Sequence, residues 1–431
     1  MQVLQTIVTY ISNLFQSPAI FISIIALVGL LLQKKPFNDV VKGTFKTMLG
    51  CFVLLIGVDI IQASISPLAS AFSSMVHAES SAPLADYGAF LGTHGAQIGI
   101  VMVVGFLINL LMARFTPLKT VYLTGHMMMF FSMLWLGLGT GFGLTGVPCI
   151  IFAVVGYLLS TTITPMLLKK DMIKLTGKFD FSVGHSGTVW CFLAARVGQL
   201  SAKLSKKESP SMESVKFPKQ LDFLRDTTLT TGLLMIVVYA VMAIVIGPQA
   251  RAEIYGSDVF TFVLTNGMRF GAGLLILLQG CRLMMSELIP AFTGISKKLV
   301  PGAVPALDIP MIYPYGPNSL MIGFLIAMIS STVVMFIVNI GGIGSYVLVP
   351  LTACIYFDCA SGCVFANAYG GRRGVILWGI IGGALIMIVT AVAMPLVAST
   401  VGTFVQQMGF TECSVWIIIV GYIGKLFGLG G

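Results

Sequence analysis

The stretch GISKKLVPGAVPALDIPMIYPYGPNS, Gly294 to Ser319, decides the fold. It lies between long apolar runs and carries five prolines, two lysines and a single acid, Asp308. Proline removes a backbone donor and interrupts a helix, so this stretch does not cross a bilayer as one regular helix. Broken backbone at membrane depth persists only where protein or a watery cavity receives the freed polar groups, which makes Asp308 the first candidate for a substrate site. The alternative is a structural acid that neutralises Arg282 or a lysine.

The flanks of that stretch are the rule along the chain. Of 431 residues, 57% are hydrophobic and 10% charged, and the mean hydropathy is +0.96. No ordinary soluble core needs so much apolar surface, and the chain reads as an all-α polytopic membrane protein. The net charge of +9 falls in clusters beside apolar runs, which is positive-inside topology rather than a nucleic-acid footprint. Eight cysteines sit mostly in or beside apolar segments without zinc-site spacing, and read as small packing residues. The start of the chain has neither a basic n-region nor a cleavage site, so Pro18 to Leu32 is expected to be a retained first span.

The basic clusters orient the spans. Lys34, Lys35, Lys42 and Lys46 place the first loop in the cytoplasm and the N-terminus outside. Thr47 to Ile61 then crosses to an outer connection through Glu79, Asp86, Tyr87 and His94, since no lysine or arginine occurs from Met48 to Ala113. Ala96 to Ala113 returns to Arg114 and Lys119, and two further runs up to Leu168 are separated by GLGTGFGLTG. Residues 169–226 form a long, lysine-rich, partly amphipathic segment expected in the cytoplasm, with an apolar island, FSVGHSGTVWCFLAA, that need not cross. Leu229 to Pro248 and Phe260 to Gln279 lead into the opening stretch. Leu320 to Ile340, Val347 to Ala368, Val375 to Val397 and Val415 to Leu429 follow it. The pattern predicts about 11 crossings, with a cytoplasmic C-terminus and re-entrant or broken segments. The glycine- and proline-interrupted regions 123 to 145 and 294 to 319 resemble the broken pairs of transporters with internal repeats.

Chemistry concentrates in few residues. Two of four histidines share a pattern, LTGH at His126 and SVGH at His185. Imidazole both donates and accepts hydrogen bonds, which suits a polyhydroxylated ligand, although each ring can equally cap a helix or satisfy a buried carbonyl. Asp59, Glu287 and Asp358 rank lower because each can end or pair a helix, and Met127, Met128 and Met129 read first as packing. The chain has no GxxxxGK[ST] loop, nucleophile elbow or HExxH motif, so transport rests on a gradient or on a partner's chemistry. A gradient-driven secondary transporter, in which Asp308 and a histidine couple proton movement, is one such reading.

The blocks KGTFKTMLG (42 to 50), LTGHMM (123 to 128), FSVGH (181 to 185), SELIPAFTGISKKLVPGAVPALD (286 to 308) and VFANAYGGRRG (364 to 374) together resemble the membrane component, IIC, of bacterial phosphotransferase systems of the L-ascorbate family; the galactitol type is a more distant relation. The resemblance spans most of the chain. It implies one permease domain over residues 1–431, with interleaved core and dimerisation subdomains, in a homodimer of the inner membrane surrounded by lipid. It implies elevator-like carriage of ascorbate or a related sugar acid or polyol, without a cofactor. A separate phosphocysteine-bearing IIB protein, charged by IIA, is implied to transfer the phosphoryl group. Residue by residue, it carries substrate binding onto Asp86, Tyr87, His126, Met127, Met128, Met129, Phe130, His185, Ser186 and Asp308. Three positions depart from the ascorbate pattern: Asp86 stands where threonine is usual, and Phe130 and Ser186 stand where glutamine is usual. An amide lost to phenylalanine removes a donor and an acceptor from the pocket.

Overall fold

The computed structural model describes residues 17–75, 84–205, 208–215, 227–348, 351, 354–409 and 411–429. Outside them lie the first sixteen residues, on which the expected outer N-terminus bears, and Glu79 of the outer connection. Residues 206, 207 and 216–226 of the lysine-rich segment and 349, 350, 352 and 353 of the run after Val347 are also outside.

The described chain is mostly helical. The helices used below are α1 (Pro18–Leu32), α2 (Phe37–Met75), α3 (Tyr87–Phe115), α4 (Gly125–Gly141), α5 (Gly146–Leu167, with a π turn at Leu159–Ile163), α6 (Lys169–Thr176), α7 (Thr188–Lys203), α8 (Thr227–Val245), α9 (Pro248–Tyr255), α10 (Val259–Lys298), α11 (Pro317–Ile340), α12 (Ser361–Val397, entered through a π turn at Ile355–Ala360), α13 (Gly402–Met408) and α14 (Thr411–Leu426). Among the described residues six helices are long and apolar enough to span a membrane, and α1 and the end of α8 are shorter apolar helices. Leu107, Leu111, Val155, Val241, Ile329 and Ile337 are exposed on these helices. A band of exposed aliphatics is expected where lipid replaces water.

Several boundaries differ from the sequence reading. Lys42 and Lys46 belong to the helix α2 rather than to a loop, and Lys46 pairs with Glu287 of α10 at 3.1 Å. His94 is likewise helical, stacked on Phe90 with ring centroids 4.2 Å apart, so α3 begins at Tyr87 and the outer connection is shorter than expected. Arg282 does not end a helix: α10 runs 40 residues from Val259 through Arg282 and Pro290 to Lys298. Apolar periodicity shows none of these continuities, because a helix that leaves the bilayer keeps its hydrogen-bonding pattern while its composition changes.

The largest departure from an all-α fold is a small parallel sheet. Three short strands, β1 (Thr120–Tyr122), β2 (Ser182–Val183) and β3 (Val304–Leu307), pair in the order β1-β3-β2. Tyr122 and Ser182 both face Ala306, and Val183 faces Leu307. β3 is the PAL segment of the opening stretch, and the fixed φ of Pro305 suits extended backbone. The outer edge of β1 is closed by the buried Asn109 of α3. Its Oδ1 accepts the Tyr122 N–H at 3.0 Å, while its Nδ2 donates to the Thr120 carbonyl at 3.2 Å and to Thr162 Oγ1 at 2.9 Å. A strand edge inside a membrane protein needs such a partner, since no water satisfies it.

Two groups of helices pack among themselves. One is α1, α2, α8, α9 and α10; the other is the sheet with α3 to α7 and α11 to α14. In the second group the buried Asp171 of α6 accepts hydrogen bonds from Arg196 of α7 and from the Tyr369 hydroxyl of α12 at 2.8 Å. The chain reverses within α12 at Gly371, whose φ of 55° is open to glycine and strained for other residues. The 208–215 loop is stitched to that bend: Arg372 N–H donates to the Pro210 carbonyl at 3.0 Å, and Met212 N–H donates to Asn367 Oδ1 at 2.8 Å. From the same loop, Glu213 accepts the Asn318 N–H (3.0 Å), the Ser319 N–H (2.9 Å) and the Ser319 hydroxyl (2.6 Å) at the start of α11.

Candidate functional site

The three strands deliver the three residues that the sequence reading ranked highest. Past its last paired residue, β1 continues into Thr124, Gly125 and His126; β2 continues into Gly184 and His185; β3 ends at Asp308. The ladder runs on beyond the assigned strands, with Leu123 N–H donating to the Ala306 carbonyl at 3.0 Å and Gly184 N–H to the Leu307 carbonyl at 2.6 Å. Because the strands are parallel, all three carboxyl ends fall on one side. There the chain diverges into helices and leaves a crevice, as at the strand ends of open parallel sheets.

His126 Nε2 stands 3.7 Å from one Asp308 oxygen and His185 Nε2 stands 3.9 Å from the other. Both gaps exceed a hydrogen bond, so the rings and the carboxylate are not closed on each other and a ligand atom to one side can reach both. Asp308 side-chain exposure is 11%, His185 7% and His126 25%, so the approach lies on the His126 side. Asp308 is held from behind by the Ile309 N–H, at 2.8 Å, as the N-cap of a 3₁₀ helix over Ile309–Tyr315. Its bases are therefore the two histidines, not Arg282.

Behind His185 lies Asp358 from the π turn, with no exposed side-chain surface and with Oδ1 3.1 Å from His185 Nδ1. Its Oδ2 accepts the Thr411 hydroxyl at 2.8 Å, and the Ser186 hydroxyl reaches both oxygens at 3.3 Å. The Gly187 N–H also points at His185 Nδ1 from 3.1 Å, a bond the ring accepts in its other tautomer. A Cβ at Gly187 would stand 2.7 Å from Asp358 Oδ1, so only glycine lets the two segments meet. The Ser186 carbonyl accepts the Thr411 hydroxyl at 2.8 Å and the Glu412 N–H at 2.9 Å, tying the start of α14 to the loop that carries His185.

The remaining candidates divide. Phe130 forms an aromatic wall beside His126 at 6.3 Å between centroids, and continues through Phe404 (5.0 Å) to Tyr87 (5.2 Å). Asp86 is exposed and acts as the N-cap of α3, accepting the Ala89 N–H at 2.8 Å. Met127 and Met128 are buried in the core and Met129 is half-buried. Asp358, Thr411 and Phe404 are the additions. An acid inside the apolar run IYFDCA was a readable signal for Asp358, whereas Thr411 and Phe404 carry no local signal.

The donor set is two imidazoles, three buried hydroxyls (Thr124, Ser186, Thr411) and two carboxylates. Toward a hydroxylated ligand it presents His126, His185 and the Asp308 carboxylate, while Ser186, Thr411 and Asp358 stay behind His185, and none of these groups is an activated nucleophile. With its apolar helices, it defines a multi-pass membrane protein with a largely enclosed polar site. The chain belongs to the EIIC-GAT family of PTS system sugar-specific permease components, whose family model matches residues 13–422. It is 28% identical over 337 residues to the ascorbate-specific PTS system EIIC component of Mycoplasma pneumoniae, an alignment covering 67% of this chain and 50% of the relative. The chain thus spans about half the length of that curated relative.

Proposed function

We propose that this chain binds ascorbate or a related sugar acid or polyol and carries it across the bacterial inner membrane as a IIC component. In this reading a separate IIB protein, bearing a phosphocysteine charged by IIA, phosphorylates the sugar on the cytoplasmic side. The observation that carries the reading is the convergence of His126, His185 and Asp308 at the carboxyl ends of one sheet, with neither imidazole closed onto the carboxylate. Family membership and the ascorbate-specific relative support the substrate class.

The sheet-bearing group of helices is assigned as the core that holds substrate, and the α1, α2, α8 and α10 group as the dimerisation domain. The core moves like an elevator against that domain in a homodimer, with about 11 crossings, the N-terminus outside and the C-terminus cytoplasmic. Asp86, Tyr87, His126, Met127, Met128, Met129, Phe130, His185, Ser186 and Asp308 are assigned to the substrate path, with Asp308 and the two histidines at its centre.

The test is uptake of labelled ascorbate, galactitol and pentitols, with and without phosphoenolpyruvate and a cognate IIB. Phosphoenolpyruvate-dependent accumulation of a phosphorylated product is expected. Accumulation of unmodified substrate, abolished by an uncoupler, would replace this mechanism with proton-coupled secondary transport, a reading favoured by the placement of His185 between Asp308 and Asp358. In the Asp308→Asn variant, sugar binding is expected to vanish while the protein stays folded; unchanged binding would remove Asp308 from the site.

A further inference from the structure

The centre of the site has the composition and spacing of a metal site. His126, His185 and Asp308 each present one ligand atom, all within 4.8 Å of one another. In a tetrahedral zinc site with bonds of about 2.0–2.2 Å, neighbouring ligand atoms stand about 3.3 Å apart. The observed 3.7 and 3.9 Å histidine–carboxylate separations are roughly half an ångström longer than that spacing, and the two imidazoles lie within 4.8 Å of each other. Both are too long for the hydrogen bonds that an isolated His–Asp pair would close.

Two further observations point the same way. A cavity of about 20 Å³, room for one water-sized occupant, borders two of the three groups, His126 and Asp308, together with Cys51, Thr124 and Met284, while His185 stands behind its lining. Thr124 Oγ1, which belongs to that lining residue, is buried without a hydrogen-bond partner among the described residues. Behind the centre, Asp358 stands 3.1 Å from His185 Nδ1. When Nδ1–H donates to that carboxylate, the lone pair of Nε2 faces Asp308, as in the carboxylate–histidine pairs that orient metal-bound imidazoles.

We infer that His126 Nε2, His185 Nε2 and the Asp308 carboxylate bind a divalent transition-metal ion of the zinc type, with at least one position left open toward the pocket. Two imidazoles and one carboxylate suit zinc and cobalt(II) better than calcium or magnesium, which select oxygen. The ion takes the atoms that a sugar hydroxyl would use, so ion and sugar exclude each other; that last step alone rests on the permease reading.

The test uses the full chain in detergent, stripped with a chelator and titrated with zinc chloride by calorimetry and with cobalt(II) by visible absorption. One zinc per chain is expected with micromolar or tighter affinity, together with cobalt bands of a four-coordinate site. His126→Ala, His185→Ala and Asp308→Asn should each weaken binding at least tenfold, and His94→Ala should leave it unchanged. Binding only at millimolar zinc, or equal affinity in the three variants, would overturn the assignment. A measurement on the unsubstituted protein guards against misfolded variants: zinc should protect His126, the more exposed ring, from diethylpyrocarbonate, and equal modification of His126 with and without zinc would refute the site. Added zinc should raise the apparent sugar Kd at least tenfold, and an unchanged Kd would refute mutual exclusion. Chelated protein that binds no sugar while still taking one zinc would sink the permease reading and leave the metal site standing.

Discussion

Replacing Asp358 with asparagine tests how the site is held. The side chain is fully buried, accepts the Thr411 hydroxyl at 2.8 Å and faces His185 Nδ1 at 3.1 Å. Asparagine keeps the volume and one acceptor oxygen, which Thr411 retains, but turns an NH2 toward the ring. Nδ1 must then accept, and the imidazole proton moves to Nε2, facing Asp308. The bond to the carboxylate is thereby exchanged for an amide-to-Nδ1 bond; since hydrogen bonds to charged groups contribute about 1.5–3 kcal/mol and neutral ones about 0.5–1.5 kcal/mol, the exchange, with weaker Ser186 and Thr411 bonds, should cost roughly 1–3 kcal/mol of stability. Because the supporting partners of ligand-binding histidines typically govern affinity by about 10–100-fold, the Kd values for sugar and zinc should both rise by about that factor. Calorimetry of each ligand and thermal unfolding in detergent read both effects. Wild-type affinities in a variant with a lowered unfolding midpoint would show that Asp358 only packs. Wild-type values for all three would refute the orienting role.

Three other variants probe other levels of the structure. Glutamine at Phe130 and Ser186 together should raise affinity for ascorbate if the present ligand differs from it, because two amides return to the pocket; calorimetry showing no gain, with ascorbate already tightly bound, would refute that reading of the departures. Glu213→Ala strips three hydrogen bonds from the start of α11. Faster amide exchange at Asn318 and Ser319, with about 1–3 kcal/mol less protection, is the expected result; wild-type exchange would show that the 208–215 loop does not hold that helix. Asn109→Leu leaves the Tyr122 N–H and the Thr120 carbonyl without their side-chain partner. At about 1–3 kcal/mol for each unsatisfied group, the variant should elute as aggregate in size-exclusion chromatography, whereas a monodisperse peak with normal ligand binding would show that the strand edge needs no partner.

The sequence made the membrane class, the break after Lys298 and the two LTGH/SVGH histidines legible, because proline, glycine and isolated ionisable groups stand out against apolar runs. It did not reveal the sheet. TVY and SV are too short to show a period of two, and their pairing depends on β3, more than a hundred residues away in the chain. Asp358 was visible as an acid in an apolar run, yet nothing local distinguished it from Asp59, which is exposed on α2. Thr411 and Phe404 reach the site only through the return of the last helices. Asp86 illustrates the reverse: an acid singled out along the chain is occupied in the fold as a helix cap.

The sheet separates what must stay fixed in this pocket from what is free to change. The spacing of His126, His185 and Asp308 is set by main-chain pairing of Tyr122, Ala306 and Val183 with their neighbours, and backbone bonds are indifferent to which side chains line the walls. Phenylalanine at 130 and serine at 186 sit on the helix and loop that leave the sheet, outside that pairing. Position 130 can be exchanged without moving the three anchoring groups, whereas the Ser186 hydroxyl also holds Asp358 behind His185. On the permease reading, ligand preference is therefore open to change at position 130, on a frame whose polar anchors need not be rebuilt.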